Sequence, residues 1–123
     1  MRRERRVTMR ATGLGLALVC GLLAPLLFFA PARAAEEPTF RIEFNDGAIT
    51  PGRLEVPANT RFRLELKNIG KTPAEFESKE LKKEKVLAAD SESVLVFRTL
   101  DPGEYPFFDD FHPDAPPAIL VAK

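Results

Sequence analysis

The stretch FRIEFNDGAITPGRLEVPANTRFRLEL, residues 40–66, alternates apolar and polar side chains in three separate runs. In the first run, Phe40, Ile42 and Phe44 occupy every second position, with Arg41 and Glu43 between them. Successive side chains of a β-strand point to opposite faces, so this period of two predicts strands with one buried face. The runs RLEV and RFRLEL repeat the pattern, and turn-forming residues lie between the runs.

The same reasoning extends to the C-terminus. The run SVLVFRTL predicts a strand that buries either Val94 and Val96 or Leu95 and Phe97, and AILVA predicts a final strand. Short strands at regular spacing, separated by Gly, Pro, Asn and Asp, indicate an all-β fold, an antiparallel β-sandwich. The charged segment SKELKKEKV departs from this period, and its helix-forming residues predict a short helix or an ordered loop.

The N-terminus has the layout of an export signal. MRRERRVTMR carries five arginines, an apolar run follows, and PARAA places Ala32 and Ala34 where a signal peptidase reads small residues. We therefore predict a signal peptide at residues 1–34, a mature domain at residues 35–123, and a periplasmic location. The alternative is an uncleaved anchor, because residues 11–30 are just long enough to span a bilayer.

The predicted mature domain is acidic and lacks sulfur. Residues 35–123 contain 12 basic and 17 acidic side chains, a net charge of −5, and contain no cysteine or methionine. This charge argues against nucleic-acid binding and against anionic membrane surfaces, leaving membrane contact to partners or an uncleaved signal. Without cysteine, thiolate chemistry is excluded from the domain.

The candidate chemistry lies in carboxylates and one imidazole. The sequence has no GxSxG, HExxH or phosphate-binding glycine loop, and its single histidine makes a catalytic triad improbable. The remaining donors are Glu75, Glu77, Asp109, Asp110 and His112. Carboxylate together with imidazole is a ligand set for Fe, Mn, Zn or Cu(II) and a poor one for Cu(I), which prefers sulfur.

Two segments carry a family resemblance. GEYPFFDDFHPDAPPAILV, residues 103–121, resembles the C-terminal ligand loop of the cupredoxins, in which a strand ends in Cys-x-x-His. On that pattern Asp109 replaces the cysteine and His112 keeps the histidine. NIGKTPAEFES resembles the other ligand segment, but Ala74 follows Pro73 where the family has histidine. The resemblance implies a cupredoxin-like Greek-key β-sandwich without a blue-copper thiolate site.

A narrower resemblance concerns function. EFESKELKKEKV followed by LDPGEYPFFDDFHP is similar to cupredoxin-like domains of bacterial ferrous-iron uptake systems, which work beside an iron permease. The resemblance implies a periplasmic domain that helps to bind and oxidise Fe(II), with the permease and other subunits as partners. It also implies an iron or copper ion as cofactor, and any ferroxidase-like activity would need partner proteins. The implied metal ligands are Asp109, His112, Glu75 and Glu77.

Other interpretations of the same residues stay open. The domain could be a non-redox carrier or chaperone for copper or iron, or a metal-free interaction module of a transport complex. His112 could be an ordinary hydrogen-bonded side chain and Asp109 a turn residue. Glu75 and Glu77 flank Phe76, so strand alternation alone could place both in solvent.

Overall fold

The structure is a computed structural model that describes residues 10, 12–15 and 30–123. The chain divides into two compact units, residues 1–33 and residues 34–123. Most of the predicted signal peptide lies outside the described residues, so that assignment stays a prediction. Among the residues that are described, no helix is long and apolar enough to cross a membrane.

Residues 34–123 form an all-β sandwich of two sheets. Within the described residues the strands are Thr39–Asn45 (β1), Ala48–Thr50 (β2), Arg53–Val56 (β3), Phe62–Asn68 (β4), Ala74–Ser78 (β5), Lys83–Leu87 (β6), Ser91–Phe97 (β7), Gly103–Asp109 (β8) and Ala118–Ala122 (β9). The first sheet has the order β2-β1-β4-β7, and the second has the order β3-β9-β8-β5-β6. The alternating runs of the sequence therefore form strands, as predicted.

The expectation of purely antiparallel sheets is wrong for two strand pairs. β1 pairs with β4 in parallel, and β3 pairs with β9 in parallel. For β1 and β4 the cause is the crossover through β3, because the chain leaves the first sheet after β2 and returns to it as β4. A parallel pair requires such a crossover connection, and here β3 in the second sheet supplies it.

The core lies between the inner faces of the two sheets. Ile42, Phe44, Leu64 and Leu66 are fully buried in the first sheet, which confirms the alternation of β1 and β4. In β7 the structure selects Leu95 and Phe97 for the inner face, and leaves Val94 40% exposed. Stacked phenylalanine pairs, Phe62 with Phe97 and Phe76 with Phe107, have ring centroids 4.9 and 4.8 Å apart. Such pairs add about 1 kcal/mol each beyond their burial.

The predicted short helix after EFES is absent from the described residues. Lys79–Lys82 forms a turn, with Lys82 at a φ of +52°, and the next residues form β6. β6 pairs with β5 over its whole length, and Leu87 at its end is only 2% exposed. Backbone pairing with a neighbouring strand and burial of Leu87 outweigh the helix propensity of the glutamates and lysines.

One end of the sandwich collects four chain segments. β1, β4 and β8 end there, β5 begins there, and the loops that follow carry the polar residues of interest. The loops are the β1–β2 turn, the segment between β4 and β5, and the loop between β8 and β9.

Candidate metal centre

His112 lies in the loop after β8 and is held by a buried carboxylate. Asp109, the last residue of β8, is 1% exposed, and its Oδ2 lies 2.7 Å from His112 Nδ1. Asp109 Oδ1 accepts hydrogen bonds from the backbone N–H groups of Glu75, at 2.9 Å, and Phe111, at 3.1 Å. The carboxylate therefore fixes the ring orientation of His112 and ties the loop to β5.

The other ring nitrogen of His112 faces a second hydrogen-bonded carboxylate. Its Nε2 lies 3.1 Å from Thr72 Oγ1, which donates to Asp46 Oδ1 at 2.7 Å. The backbone N–H groups of Lys71 and Thr72 also donate to Asp46 Oδ1, both at 2.9 Å. The result is a chain of contacts from Asp109 through His112 and Thr72 to Asp46, which we call the His112 network.

The hydrogens of this network can be counted. A threonine hydroxyl has one hydrogen, and Asp46 Oδ1 can only accept. Since the Thr72 hydrogen goes to Asp46, the contact between Nε2 and Oγ1 is a hydrogen bond when Nε2 carries a hydrogen. Nδ1 needs a hydrogen as well, to donate to Asp109. A metal ion bound at Nε2 would require that nitrogen without a hydrogen, while Nδ1–H still donates to Asp109.

The ring edge of His112 reaches solvent. Its side chain is 25% exposed and borders a cleft that is also lined by Asp46, Phe111 and Asp114. Phe111 is 50% exposed at this cleft. The pKa of Asp46 is lowered first by the hydrogen bond from the Thr72 hydroxyl and then by those from the backbone N–H groups of Thr72 and Lys71. A positive charge on His112 would lower it further. Asp46 thus remains a carboxylate at neutral pH.

Two residues of the N-x-G turn build the loop that carries Thr72. Asn68 is fully buried, and its Nδ2 donates to the carbonyl oxygens of Thr72, Leu87 and Ala88 at 2.8, 3.3 and 3.1 Å. Gly70 allows a close approach, because a Cβ atom there would lie 2.6 Å from the backbone nitrogen of Asp46. The sequence marked both residues as turn formers but gave no signal of their role beside His112.

Glu75 and Glu77 belong to a different group. Their side chains alternate with the buried Ala74, Phe76 and Ser78, so they project from the outer face of β5. Together with Glu84 of β6 they place carboxylate oxygens within 4.8 Å of one another, a set we call the glutamate group. The pKa of Glu75 is raised, first by burial and then by the charges of Asp110, Glu77, Glu84 and Asp109.

The four predicted ligands therefore fall into two pairs. Asp109 and His112 are in direct contact, whereas Glu75 and Glu77 join Glu84 on the outer face of β5 and β6. Only the backbone of Glu75 reaches the His112 network, through its N–H bond to Asp109. The assignment of all four as metal ligands stays a prediction.

Comparison with known proteins identifies the family. The family model described as a cupredoxin-like domain matches residues 18–122. This chain belongs to the cupredoxin-like family. A curated relative, an uncharacterized protein of Rickettsia prowazekii (strain Madrid E), is 33% identical over 83 residues, which cover 68% of this chain. The aligned part is 66% of the relative, so the chain spans just under two thirds of its length.

Solved structures support the same fold. A purple cupredoxin from Nitrosopumilus maritimus is 16% identical with a TM-score of 0.52, covering 68% of this chain and 98% of that protein. The metal-binding domain of the Cu(I)-exporting P-type ATPase CopA of Streptococcus pneumoniae D39, solved with Cu(I), is 15% identical with a TM-score of 0.57. That comparison covers 69% of this cupredoxin-like chain and 84% of the ATPase domain. At these identities the likeness concerns the fold alone.

A thiolate-bound copper ion does not fit this cupredoxin-like site. The residue at the end of β8 is Asp109, Ala74 begins β5, and residues 35–123 contain no sulfur. The donors present are one imidazole, carboxylates and a hydroxyl, which suit Fe, Mn, Zn or Cu(II) better than Cu(I). His112 Nε2 could hold such an ion, with Asp109 orienting the ring from the opposite nitrogen.

Proposed function

We propose that this cupredoxin-like protein binds a divalent transition-metal ion at His112 and acts in ferrous-iron uptake in the periplasm. The observation that carries the proposal is the 2.7 Å contact between His112 Nδ1 and the buried Asp109. Metal-binding histidines commonly donate their second nitrogen to a carboxylate, which fixes the ring and raises its basicity. His112 has this arrangement, and the residue also lines a cleft at the protein surface.

The donor set supports iron as the cargo. Carboxylate oxygens are hard ligands that stabilise Fe(III) over Fe(II), so a site rich in them lowers the potential of the ion and favours loss of its electron. One structural neighbour was solved with Cu(I), which supports metal binding by this fold. Cu(I) prefers sulfur ligands, and residues 35–123 contain none.

The proposed role is to bind Fe(II), to assist its oxidation and to pass the ion to an iron permease. Oxidation removes one electron from each Fe(II), and dioxygen is the proposed acceptor. Four Fe(II) ions and four protons then reduce one O2 to two water molecules. The contribution of this chain is to hold the ion at His112 among oxygen donors that favour the ferric product.

Metal titration tests this proposal. The purified full-length chain is titrated with Cu(II), and with Fe(II) under anaerobic conditions, while calorimetry follows binding. We expect dissociation constants below micromolar for at least one ion, and loss of binding in His112→Gln. The double variant Glu75→Gln/Glu77→Gln tests whether the glutamate group contributes to the affinity for Cu(II) or Fe(II).

The outcomes separate the candidate functions. No binding of either ion at micromolar concentrations would contradict the proposal and favour a metal-free interaction module. Binding without faster oxygen consumption in the presence of Fe(II) and the partner permease would support a non-redox carrier instead. Unchanged affinity in His112→Gln would place the metal elsewhere.

A further inference from the structure

The β1–β2 turn packs directly against His112. Asp46 and Gly47 form the two-residue loop of this hairpin, with φ angles of +44° and +99°. Positive φ at both positions is what the tight hairpin turn requires, and an Asp-Gly pair satisfies it. A Cβ atom on Gly47 would lie 3.3 Å from His112 Cβ, so the turn and the histidine are already in close contact.

Hydrogen bonds to one oxygen of the Asp46 carboxylate fix its orientation and leave the other oxygen available to bind an ion. Its Oδ1 accepts three hydrogen bonds, from Lys71 N, Thr72 N and Thr72 Oγ1. The close approach of Gly70 to the same oxygen limits rotation of the side chain. Within the described residues, no protein donor bonds to Oδ2, and the side chain lines the cleft beside His112.

Asp109 differs in both respects. It is 1% exposed, and both of its oxygens accept hydrogen bonds, two at Oδ1 and one at Oδ2. Direct coordination by Asp109 would break at least its contact with His112 Nδ1. Asp109 is therefore suited to orient the ring, while Asp46 is suited to bind an ion in the cleft.

Thr72 Oγ1 marks the position between the two groups. This single atom lies 3.1 Å from His112 Nε2 and 2.7 Å from Asp46 Oδ1. An ion that displaces the hydroxyl would contact His112 Nε2 and the Asp46 carboxylate, through Oδ1 itself or through Oδ2, which accepts no hydrogen bond from the described residues. We propose that Asp46, a residue outside the predicted ligand set, coordinates the metal ion beside His112 Nε2 in place of the Thr72 hydroxyl. The inference rests on the proposed metal binding at His112.

Asp46→Asn is a suitable test variant. Asparagine tolerates a positive φ, and its carbonyl oxygen can accept the same backbone hydrogen bonds as Oδ1. The change therefore removes the charge and the second oxygen ligand while keeping the turn. The matched control is Asp114→Asn, because Asp114 lines the same cleft and loses the same charge. Thermal unfolding checks that both variants remain folded.

The experiment compares Cu(II) affinity and the Cu(II) electron paramagnetic resonance spectrum in the full-length chain and both variants. We expect Asp46→Asn to weaken binding at least about tenfold and to change the copper hyperfine coupling, the scale seen when residues around a metal are altered. Asp114→Asn should weaken binding less than about twofold and leave the spectrum unchanged.

Four results are decisive. Wild-type affinity and spectrum in Asp46→Asn would overturn the inference, as would equal losses in the two variants, which would indicate a general charge effect. Binding that is lost in His112→Gln but unaffected by Asp46→Asn would overturn only this inference. Absence of binding by the wild-type protein would overturn the proposed function itself.

Discussion

The His112 network lies in the loops at one end of the sandwich and the glutamate group lies on the outer face of β5 and β6, and the two differ in how their charges are compensated. In the network, both ring nitrogens of His112 have a partner, and each neighbouring carboxylate accepts several hydrogen bonds. In the glutamate group, Glu77 lies opposite Glu84 in the β5–β6 register. Like charges at paired positions repel each other.

This difference separates a preorganised site from a strained surface. Hydrogen bonds hold the His112 network in one geometry without a metal, so binding there requires little rearrangement beyond displacement of the Thr72 hydroxyl. In the glutamate group, burial and then the charges of Asp110, Glu77, Glu84 and Asp109 raise the pKa of Glu75.

The largest effect should come from Asp109→Ala. The substitution leaves the N–H groups of Glu75 and Phe111 without their acceptor, both in partly buried hydrogen bonds, and it leaves His112 Nδ1 without its partner; a fully buried unsatisfied group costs about 1–3 kcal/mol. We expect the free energy of unfolding, measured in urea, to fall by roughly 3 kcal/mol. Asp110→Ala, at the next and exposed position, should change it by less than about 0.5 kcal/mol. Equal losses in the two variants would show that Asp109 does not anchor the network.

A smaller loss is expected from Gly70→Ala. The added Cβ atom would lie 2.6 Å from Asp46 N and 2.7 Å from Asp46 Oδ1, so the two loops must move apart. Overpacking of this kind costs about 1–3 kcal/mol. The separation should also weaken metal binding, since it displaces Asp46 from the cleft.

Gly52→Ala is the control for this substitution, because nothing lies within 4 Å of its added Cβ atom. It should change the urea midpoint and the Cu(II) affinity little. If Gly70→Ala matched it in both measurements, the close packing of the loops around Asp46 would have no energetic importance.

The fold could largely be predicted from alternation, but the pairing of strands could not. Ile42, Phe44 and Leu64 lie on the face that a period of two assigns to the core. Alternation does not specify which strand lies beside which, so the parallel pairs of β1 with β4 and β3 with β9 were missed. β6 was missed for a related reason, since its stability comes from pairing with β5, which local propensity does not record.

The sequence predicted only those site residues that lie together in one short motif. Asp109 and His112 come together because they lie three residues apart on one loop, a local relation that the sequence shows. Asp46 and Thr72 reach His112 from separate segments, across sequence separations that spacing cannot reveal. Glu84 joined Glu75 and Glu77 only because the segment predicted as a helix or loop forms β6 instead.

The smallest effect should come from Glu75→Gln, and it should depend on pH. Folding raises the pKa of Glu75, first through burial and then through the neighbouring carboxylates. Above that pKa the folded protein bears the full cost of the charge, and below it the folded state takes up the proton more readily than the unfolded state. Glu75→Gln should therefore raise the free energy of unfolding at pH 7 by about 0.5 kcal/mol and change it little at pH 3.

The effect of Glu75→Gln on stability in the presence of metal tests which of the two regions binds the ion. Glu80→Gln, in the exposed turn before β6, is the control for the loss of one negative charge. If the glutamate group also binds Fe(II), the bound ion stabilises the wild-type protein, and Glu75→Gln becomes destabilising when metal is saturating. If the ion binds only in the His112 network, Glu75→Gln remains stabilising with and without metal. Thermal unfolding of the wild type and Glu75→Gln, measured anaerobically with and without Fe(II), distinguishes the two cases. The midpoint of Glu75→Gln falls below that of the wild type at saturating Fe(II) only if the ion binds the glutamate group of the folded protein.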